Sequence, residues 1–369
     1  MIKYTPCSRM QNTLGKDYLK LMTEVFQDDR QFEGDICIRT ENALSKMFGV
    51  KHSLLTVSGT IAIIEMLIAI GVKAGDEVLT INYSCPATVM PIKLLGANPV
   101  FIDLDRFGQM DLASCKEKIT QRTSAILVTG LYGDTPDFDQ LIDIDLPILH
   151  DSAQSALGTY KGQESVRHGI MSIASFSTNK NLPIWGTYGA VFTDDAELAH
   201  KLSYIRKNGY YSRDAGTNIP YIGINGQPTP DKCAQVFVTL QHKDWYQQRR
   251  AEITDYYDKN FKELGISVRP SPDYSDTSHH KYCMFVNNKQ KFRDTMEAQG
   301  VEAQLHYTYN FAKTPVLGGV NNSPEYPWTE FYSRHAISLP NSPWHTDGEI
   351  EHVVESVKRT IKSEDLHLL

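Results

Sequence analysis

Residues 77–105, with the sequence EVLTINYSCPATVMPIKLLGANPVFIDLD, alternate between two kinds of pattern. Two short apolar runs rich in β-branched residues, Glu77–Ile81 and Pro99–Asp103, flank a helical stretch that includes Met90–Gly96. Strands that alternate with helices imply right-handed crossovers and a parallel sheet covered on both faces. This stretch therefore predicts a β-α-β unit of an α/β protein.

The same alternation extends in both directions, from about residue 53 to residue 193. Further strand-like runs occur at 53–57, 124–129, 147–150, 172–176 and 189–193, and a helical pattern follows the first of them. Only a loop separates the last two runs, which allows these two strands to pair antiparallel and the sheet to be mixed. We predict a mostly parallel, seven-stranded sheet flanked by helices.

The pattern changes after residue 194. A helix through 194–209 ends at a glycine, a Gly/Pro-rich segment occupies 216–230, and a long helix is predicted over 231–264. Shorter strand runs and a final helix over 347–361 follow. We predict a large α/β domain over residues 1–235, then a connecting long helix and a smaller α+β domain over residues 236–369.

Composition excludes several classes of protein. The chain has 369 residues, of which 41% are hydrophobic and 22% charged, and its formal net charge is −7. A general nucleic-acid or membrane-surface binder needs a basic face, so neither partner is expected. The N-terminus lacks an apolar signal segment, and the most apolar run, 60–72, carries Glu65 and is too short for a bilayer. Six scattered cysteines suit a reducing compartment, so we expect a cytoplasmic protein.

Common catalytic signatures are absent from the sequence. It contains no Walker A loop, no GxGxxG, no HExxH, no GxSxG and no CxxC. Nucleotide hydrolases, dinucleotide oxidoreductases and the commoner hydrolases therefore lose support, and no metal site is predicted.

Two segments follow predicted strands in places where open α/β sheets bind ligands. VSGT, residues 57–60, offers amides and a hydroxyl at the start of a helix, either as an anion site or as a helix cap. LHDSAQS, residues 149–155, places Asp151 at the carboxyl end of a strand, either as a ligand-binding carboxylate or as another cap.

Two further segments contain chemically suggestive residues. SFSTNKNL, residues 175–182, places Lys180 in a short loop, either as a Schiff-base nucleophile or as a solvated surface lysine. GINGQPTP, residues 223–230, contains residues typical of turns, and a ligand-binding loop is its second interpretation.

These four segments occur in one order together with AGDEVLTINYSCPAT, LLGANPVFIDLD, LYGDTPDFDQL, GAVFTDD, IRKNG and ISLPNSP. In that order the chain resembles, over nearly its whole length, the DegT/StrS-type sugar aminotransferases, which are fold type I enzymes dependent on pyridoxal 5′-phosphate. The resemblance implies that fold and that cofactor. It also implies that Lys180 forms the Schiff base with the cofactor and moves the proton, that Asp151 pairs with the pyridine nitrogen, and that Gln154 lies beside the phenolic oxygen.

The resemblance also implies how the cofactor's phosphate is bound. Its cradle corresponds to Ser58, Gly59, Thr60 and Ser175. Asn225 matches an asparagine that reaches the phosphate from the other subunit, which implies a homodimer with shared active sites.

The implied reaction transfers an amino group from L-glutamate to a nucleotide-linked keto-deoxy sugar. His306 and Tyr307 match the substrate-facing segment of the family, although a buried strand end remains an alternative for them. Three rival functions stay open. These are a sugar dehydratase of the same family, in which histidine replaces the residue matching Lys180, a non-catalytic regulatory relative, and an amino-acid-directed enzyme of the same fold type.

The sequence departs from the family pattern in three places. Cys85 stands where the family has an aromatic residue that stacks on the cofactor ring, and Tyr83 takes that place only after a shift of two. Thr187 and Tyr188 stand in the family's acidic-Gly-Gly turn. Pro230 replaces an acidic residue, which predicts a rebuilt start of the long helix.

Overall fold

A computed structural model of the chain describes residues 1–30, 32–210, 217–318 and 325–363. Its helices are α1 (Cys7–Val25), α2 (Asp35–Phe48), α3 (Gly59–Ala69), α4 (Pro86–Leu94), α5 (Cys115–Lys118), α6 (Ala196–Ile205), α7 (Pro230–Leu240), α8 (Lys243–Lys262), α9 (Lys289–Ala298), α10 (Pro327–His335) and α11 (Asp347–Ser363). Its strands are β1 (His52–Thr56), β2 (Glu77–Ile81), β3 (Asn98–Ile102), β4 (Thr123–Thr129), β5 (Ile148–Asp151), β6 (Thr159–Tyr160), β7 (Gln163–Glu164), β8 (Met171–Ser175), β9 (Gly189–Thr193), β10 (Ser275–Asp276), β11 (Tyr282–Phe285) and β12 (Ala336–Leu339). No described helix combines the length and the apolar character that crossing a bilayer requires.

The central sheet confirms the predicted α/β class. Seven strands lie in the order β1-β9-β8-β5-β4-β2-β3. β9 runs antiparallel to both of its neighbours, while the other pairings in this sheet are parallel. The sheet is therefore mixed at the place where only a loop separates two strand-like runs.

Helices cover both faces of this sheet. Successive side chains of a strand point to opposite faces, so neighbouring strand residues pack against different helices. Leu54 belongs to an apolar cluster formed with α3, α4 and α6. The next residue, Leu55, belongs to a cluster formed with α1, α2 and α7. The strands are consequently buried on both sides, which explains their nearly continuous apolar sequences.

The C-terminal part has an apolar core of its own. The antiparallel pair β11–β12 packs with α8, α9 and α11, and the shared cluster includes Ile253, Phe292 and Val353. Ile2 from the N-terminus joins this cluster and pairs with Val301. The division into residues 1–235 and 236–369 stays a prediction.

The single long helix predicted over 231–264 is wrong, because α7 and α8 are separate helices. At their junction the N–H groups of Gln241 and His242 bond to carbonyls three residues earlier rather than four. α7 buries its apolar side against α1 and α2, whereas the later turns of α8 bury Ile253 and Tyr257 in the C-terminal core. Because α7 and α8 pack into different apolar cores, the chain must bend between them. The apolar pattern of the sequence does not reveal this bend.

Candidate active site

Several segments singled out in the sequence meet on one side of the central sheet, at the carboxyl ends of its parallel strands. β1 ends at Thr56, β5 ends at Asp151 and β8 ends at Ser175, and these strands run in the same direction. Open α/β sheets bind ligands outside the carboxyl ends of their strands. We therefore expect a ligand-binding site at these strand ends.

The start of α3 provides an anion-binding cradle. The hydroxyl oxygen of Ser58 caps the helix by accepting the N–H of Ile61 at 3.1 Å. The N–H groups of Gly59 and Thr60 lie in the first turn, where an α-helix offers no internal acceptor. A Cβ added to Gly59 would lie only 3.1 Å from the Cβ of Ser175, so glycine permits this close approach. The cradle suits a phosphate, which helix N-termini and hydroxyl groups bind well.

Asp151 is a buried carboxylate that accepts two hydrogen bonds, one of them from a distant part of the chain. Its Oδ2 accepts the hydroxyl of Thr88 at 2.7 Å, and its Oδ1 accepts the N–H of Ala153 at 3.1 Å. Burial raises the pKa of Asp151, while these bonds and the charge of Lys180 oppose the shift. Asp151 caps a turn and not a helix. A buried carboxylate of this kind fits a protonated pyridine nitrogen, which supplies a positive partner.

Lys180 lies in the loop between β8 and β9. Its N–H donates to the carbonyl of Ser177 at 2.9 Å, and its own carbonyl accepts from Nη2 of Arg250 at 3.3 Å. Burial lowers the pKa of Lys180, and the charges of Asp151 and Cys85 partly oppose this shift. Lys180 is therefore not a freely solvated surface lysine. A lowered pKa increases the share of neutral amine, the form that attacks an aldehyde.

Gln154 and Tyr307 are far apart in sequence but adjacent in the structure. Nε2 of Gln154 donates to the hydroxyl of Tyr307 at 3.2 Å. The Oε1 of Gln154 accepts the N–H of Tyr132 at 3.2 Å and the ammonium of Lys281 at 3.5 Å. The ammonium of Lys281 also lies 3.3 Å from the Tyr307 hydroxyl.

The His306–Tyr307 segment is held in place through its backbone. The hydroxyl of Tyr132 donates to the His306 carbonyl at 2.6 Å, and Nζ of Lys289 donates to the Tyr307 carbonyl at 2.8 Å. The Tyr307 N–H donates to the hydroxyl of Tyr83. Both residues of the segment lie outside the strands and half-buried, so the strand-end alternative is wrong.

Cys85 and Tyr83 have different environments. Cys85 precedes α4 and is half-buried, and it lies near Lys180, Lys281 and Tyr307. Tyr83 is completely buried, and its hydroxyl lies 3.0 Å from that of Tyr132. The structure therefore places Cys85 nearer to the site. Contact of either residue with the cofactor ring stays a prediction.

The other two departures from the family pattern lie beside each other. The Tyr188 ring is buried in the core under α7. Pro230 forms the first residue of α7, a position that suits proline because its missing N–H has no partner there. The start of this helix thus accommodates the residue that replaces the family's acidic one.

Asn225 is exposed on the loop before α7. Its backbone pairs with Lys207, and its side chain makes no hydrogen bond within the described residues. The next residue, Gly226, packs so closely on Glu65 that an added Cβ would overlap its carboxyl group. The structure therefore does not join Asn225 to the phosphate cradle of its own chain.

Three neighbours of the site were not foreseen from the sequence: Thr88, Arg250 and Lys281. Thr88 bonds to Asp151 from 63 residues away, and Lys281 bonds to Gln154 from 127 residues away. Nothing in their local sequence indicates such pairings. In the parts of the chain that the structure describes, no three metal-ligating side chains come together.

The fold and the site together define a fold type I enzyme that uses pyridoxal 5′-phosphate. Comparison with known proteins agrees: the model of the DegT/DnrJ/EryC1/StrS aminotransferase family matches residues 12–358. The chain therefore belongs to this aminotransferase family, and pyridoxal 5′-phosphate is its cofactor.

Individual relatives and solved structures are similar over most of their length. UDP-2-acetamido-2-deoxy-3-oxo-D-glucuronate aminotransferase of Pseudomonas aeruginosa is 29% identical, over 82% of this chain and 85% of that protein. dTDP-3-amino-3,6-dideoxy-alpha-D-galactopyranose transaminase of Aneurinibacillus thermoaerophilus is 27% identical, over 97% and 99%. The crystal structure of DesV from S. venezuelae superposes with a TM-score of 0.92 at 24% identity and covers 99% of both chains. This last likeness supports the fold alone.

Proposed function

We propose that the protein transfers an amino group from L-glutamate to the ketone carbon of a nucleotide-linked keto-deoxy sugar. The named relatives that act on nucleotide sugars support the choice of acceptor. The observation that carries the proposal is the placement of Asp151 at the end of β5 and of Lys180 in the loop after β8, two neighbouring parallel strands. Asp151 is buried and Lys180 is half-buried.

Each residue of the site contributes a separate task. When bound, pyridoxal phosphate supplies an aldehyde carbon that takes up the amino group and a ring that accepts the electron pair of a broken C–H bond. Asp151 would keep the ring nitrogen protonated, and Gln154 would lie beside the phenolic oxygen. Neutral Lys180 accepts the proton from one carbon and returns it to another.

The cradle orients the cofactor through its phosphate. Ser58, Gly59, Thr60 and Ser175 contribute hydroxyl and amide donors, which are strongest toward a dianion. His306 and Tyr307 are proposed to face the substrate, and the backbone bonds that fix their segment and the contact of Tyr307 with Gln154 support this role.

The rival functions receive less support. A lysine at position 180 disfavours the dehydratase, in which that residue is histidine. Retention of Asp151, Gln154 and Ser175 around the lysine disfavours a regulatory protein without activity. An amino-acid-directed enzyme is disfavoured by the named relatives, which act on nucleotide sugars.

We further propose a homodimer in which Asn225 reaches the phosphate of the partner's cofactor. The loop that bears Asn225 also exposes two large apolar side chains, Ile219 at 56% and Ile222 at 80%. Apolar side chains beside an exposed polar one are typical of a surface that a second subunit covers. All six cysteines are free, which supports a cytoplasmic location.

The test is amino transfer by the purified, cofactor-loaded protein. Nucleotide-linked keto sugars are supplied with L-glutamate, and 2-oxoglutarate and amino sugar are measured together. We expect equal amounts of both products from the wild type. Asp151→Asn should fold but lose several powers of ten in rate, because the ring nitrogen is no longer held protonated. Absence of amino sugar with every ketone tested would contradict the proposal.

A further inference from the structure

Lys281 is a buried cation without an acidic partner. Lys281 is only 6% exposed. Within the described residues, its Nζ makes hydrogen bonds only to the neutral groups of Gln154 and Tyr307. No carboxylate among the described residues forms an ion pair with it. Burial of an ammonium group without a counter-ion is costly, and such groups usually pair or lose their proton.

The groups around Lys281 are basic as well. Burial, and to a smaller extent the nearby Lys180, lower the pKa of Lys281. His280 and His306 lie near both lysines, and His280 Nε2 and His306 Nδ1 are buried without hydrogen-bond partners. The groups that Lys281 meets are therefore basic or neutral, and no carboxylate of the described residues neutralises its charge. A bound anion would do so.

The cofactor does not supply that anion at this position. Its phosphate is assigned to the cradle at the start of α3, and its ring nitrogen to Asp151. Its phenolic oxygen is assigned to Gln154, whose amide nitrogen donates to the Tyr307 hydroxyl and whose amide oxygen contacts Lys281. The remaining anionic group is one that a substrate brings.

We propose that the ammonium of Lys281, together with the hydroxyl of Tyr307, binds a carboxylate group of a substrate. This inference rests on the proposed function, which supplies two sources of a carboxylate. One is the amino donor, L-glutamate, and the other is an acidic sugar of the uronate type. Charge-assisted hydrogen bonds to a carboxylate are the strongest contacts that a lysine makes.

The test measures ligand affinity of the cofactor-loaded protein by calorimetry. Glutarate represents the donor, and UDP-glucuronate is compared with UDP-glucose, from which it differs by one carboxylate. Lys281→Met should weaken binding of at least one carboxylate ligand about tenfold or more and leave UDP-glucose unchanged. Lys281→Arg should restore part of the loss, because it returns the charge.

Lys118→Met is the matched control. It removes a half-buried ammonium that, among the described residues, also contacts only neutral groups, the Phe101 carbonyl and the Tyr326 ring, at a place outside the site. It should preserve the preference for carboxylate ligands. If Lys281→Met does not fold, Lys281→Gln replaces it, since glutamine keeps a hydrogen-bond donor and lacks the charge.

The outcomes separate the two sources and the two proposals. Weakened glutarate binding assigns the donor, and weakened UDP-glucuronate binding assigns an acidic sugar. Unchanged carboxylate affinities in the variants, or no carboxylate preference in the wild type, would overturn the inference. A changed absorbance of the bound cofactor with unchanged affinities would also overturn it. A wild type that prefers carboxylates but forms no amino sugar would contradict the proposed function alone.

Discussion

The hydroxyl oxygen of Tyr188 accepts a hydrogen bond from the backbone N–H of Thr229 at 2.9 Å. This bond joins the end of the Lys180 loop to the residue that precedes α7. Tyr188 and Pro230, two departures from the family pattern, are therefore neighbours in one structural unit. The unit connects the loop that bears the reactive lysine with the loop that bears Asn225.

Tyr188→Phe should remove this bond and keep the buried ring. We expect a loss of about 1 kcal/mol in the free energy of unfolding, since one hydrogen bond disappears while packing remains. Tyr188→Gly, which restores the family residue, should cost about 3–5 kcal/mol because it leaves a cavity. Urea unfolding measures both. Tyr309→Phe, at a 41% exposed tyrosine, is the control and should change nothing. Equal stability of Tyr188→Gly and the wild type would show that the ring contributes no packing.

Cys85→Phe should bind pyridoxal phosphate as tightly as the wild type or more tightly. An aromatic ring covers more of the cofactor's face than a thiol does. Titration of the apoprotein with cofactor, followed by absorbance, measures the dissociation constant.

Tyr83→Phe is the companion variant. It removes the hydroxyl that contacts Tyr132 and the Tyr307 N–H, so it should disturb the substrate side more than cofactor affinity. If Cys85→Phe fails to fold while loss of the Tyr83 ring sharply weakens cofactor binding, then Tyr83 holds the stacking role.

Glu65 makes stability depend on pH. Burial raises its pKa to about 8, against the partial opposition of the Thr56 hydroxyl and the charge of Arg206. Because the folded-state pKa exceeds the unfolded one, the protonated carboxyl stabilises the fold at low pH. That contribution is lost as the pH rises from about 4.5 to about 8, at no more than about 1.4 kcal/mol per pH unit.

Glu65→Gln should therefore be as stable as the wild type near the low end of that range and more stable by a few kcal/mol at its high end. Glutamine keeps an acceptor for the Thr56 hydroxyl and has no charge to bury. Urea unfolding over this pH range measures the difference. Parallel pH profiles for both proteins would show that Glu65 titrates normally in the fold.

Asn225 should complement Lys180 between subunits. Lys180→Ala and Asn225→Ala are each expected to be inactive, the first without its amine and the second with a weakened phosphate site. After random subunit exchange of equal amounts, about a quarter of all sites have both residues intact in a symmetric dimer. Recovery of about a quarter of wild-type activity is the expected result. No recovery after verified exchange would mean that each site is built within one chain.

The sequence predicts those parts of the fold that depend on local patterns. Runs such as Glu77–Ile81 predict strands because a strand buried on both faces is apolar at nearly every residue. The break between α7 and α8 at Gln241–His242 is not predicted, because it arises from the packing of these two helices into different apolar cores. Lys281 was missed for the same kind of reason, since only the folded chain brings it to Gln154. Asp151 and Lys180 are predicted because one ends a strand, the other lies in the loop after a strand, and both match the family pattern.

The identity of the reactive lysine tests the central claim most directly. Borohydride reduction of the cofactor-loaded protein, followed by peptide mapping, shows which amine carries the cofactor. We predict the label on Lys180 alone, and we predict that Lys180→Ala retains cofactor through its phosphate but has no measurable turnover. Lys281, a buried lysine that contacts Gln154, serves as the internal comparison. A label on Lys281, or on any other lysine, would contradict the account.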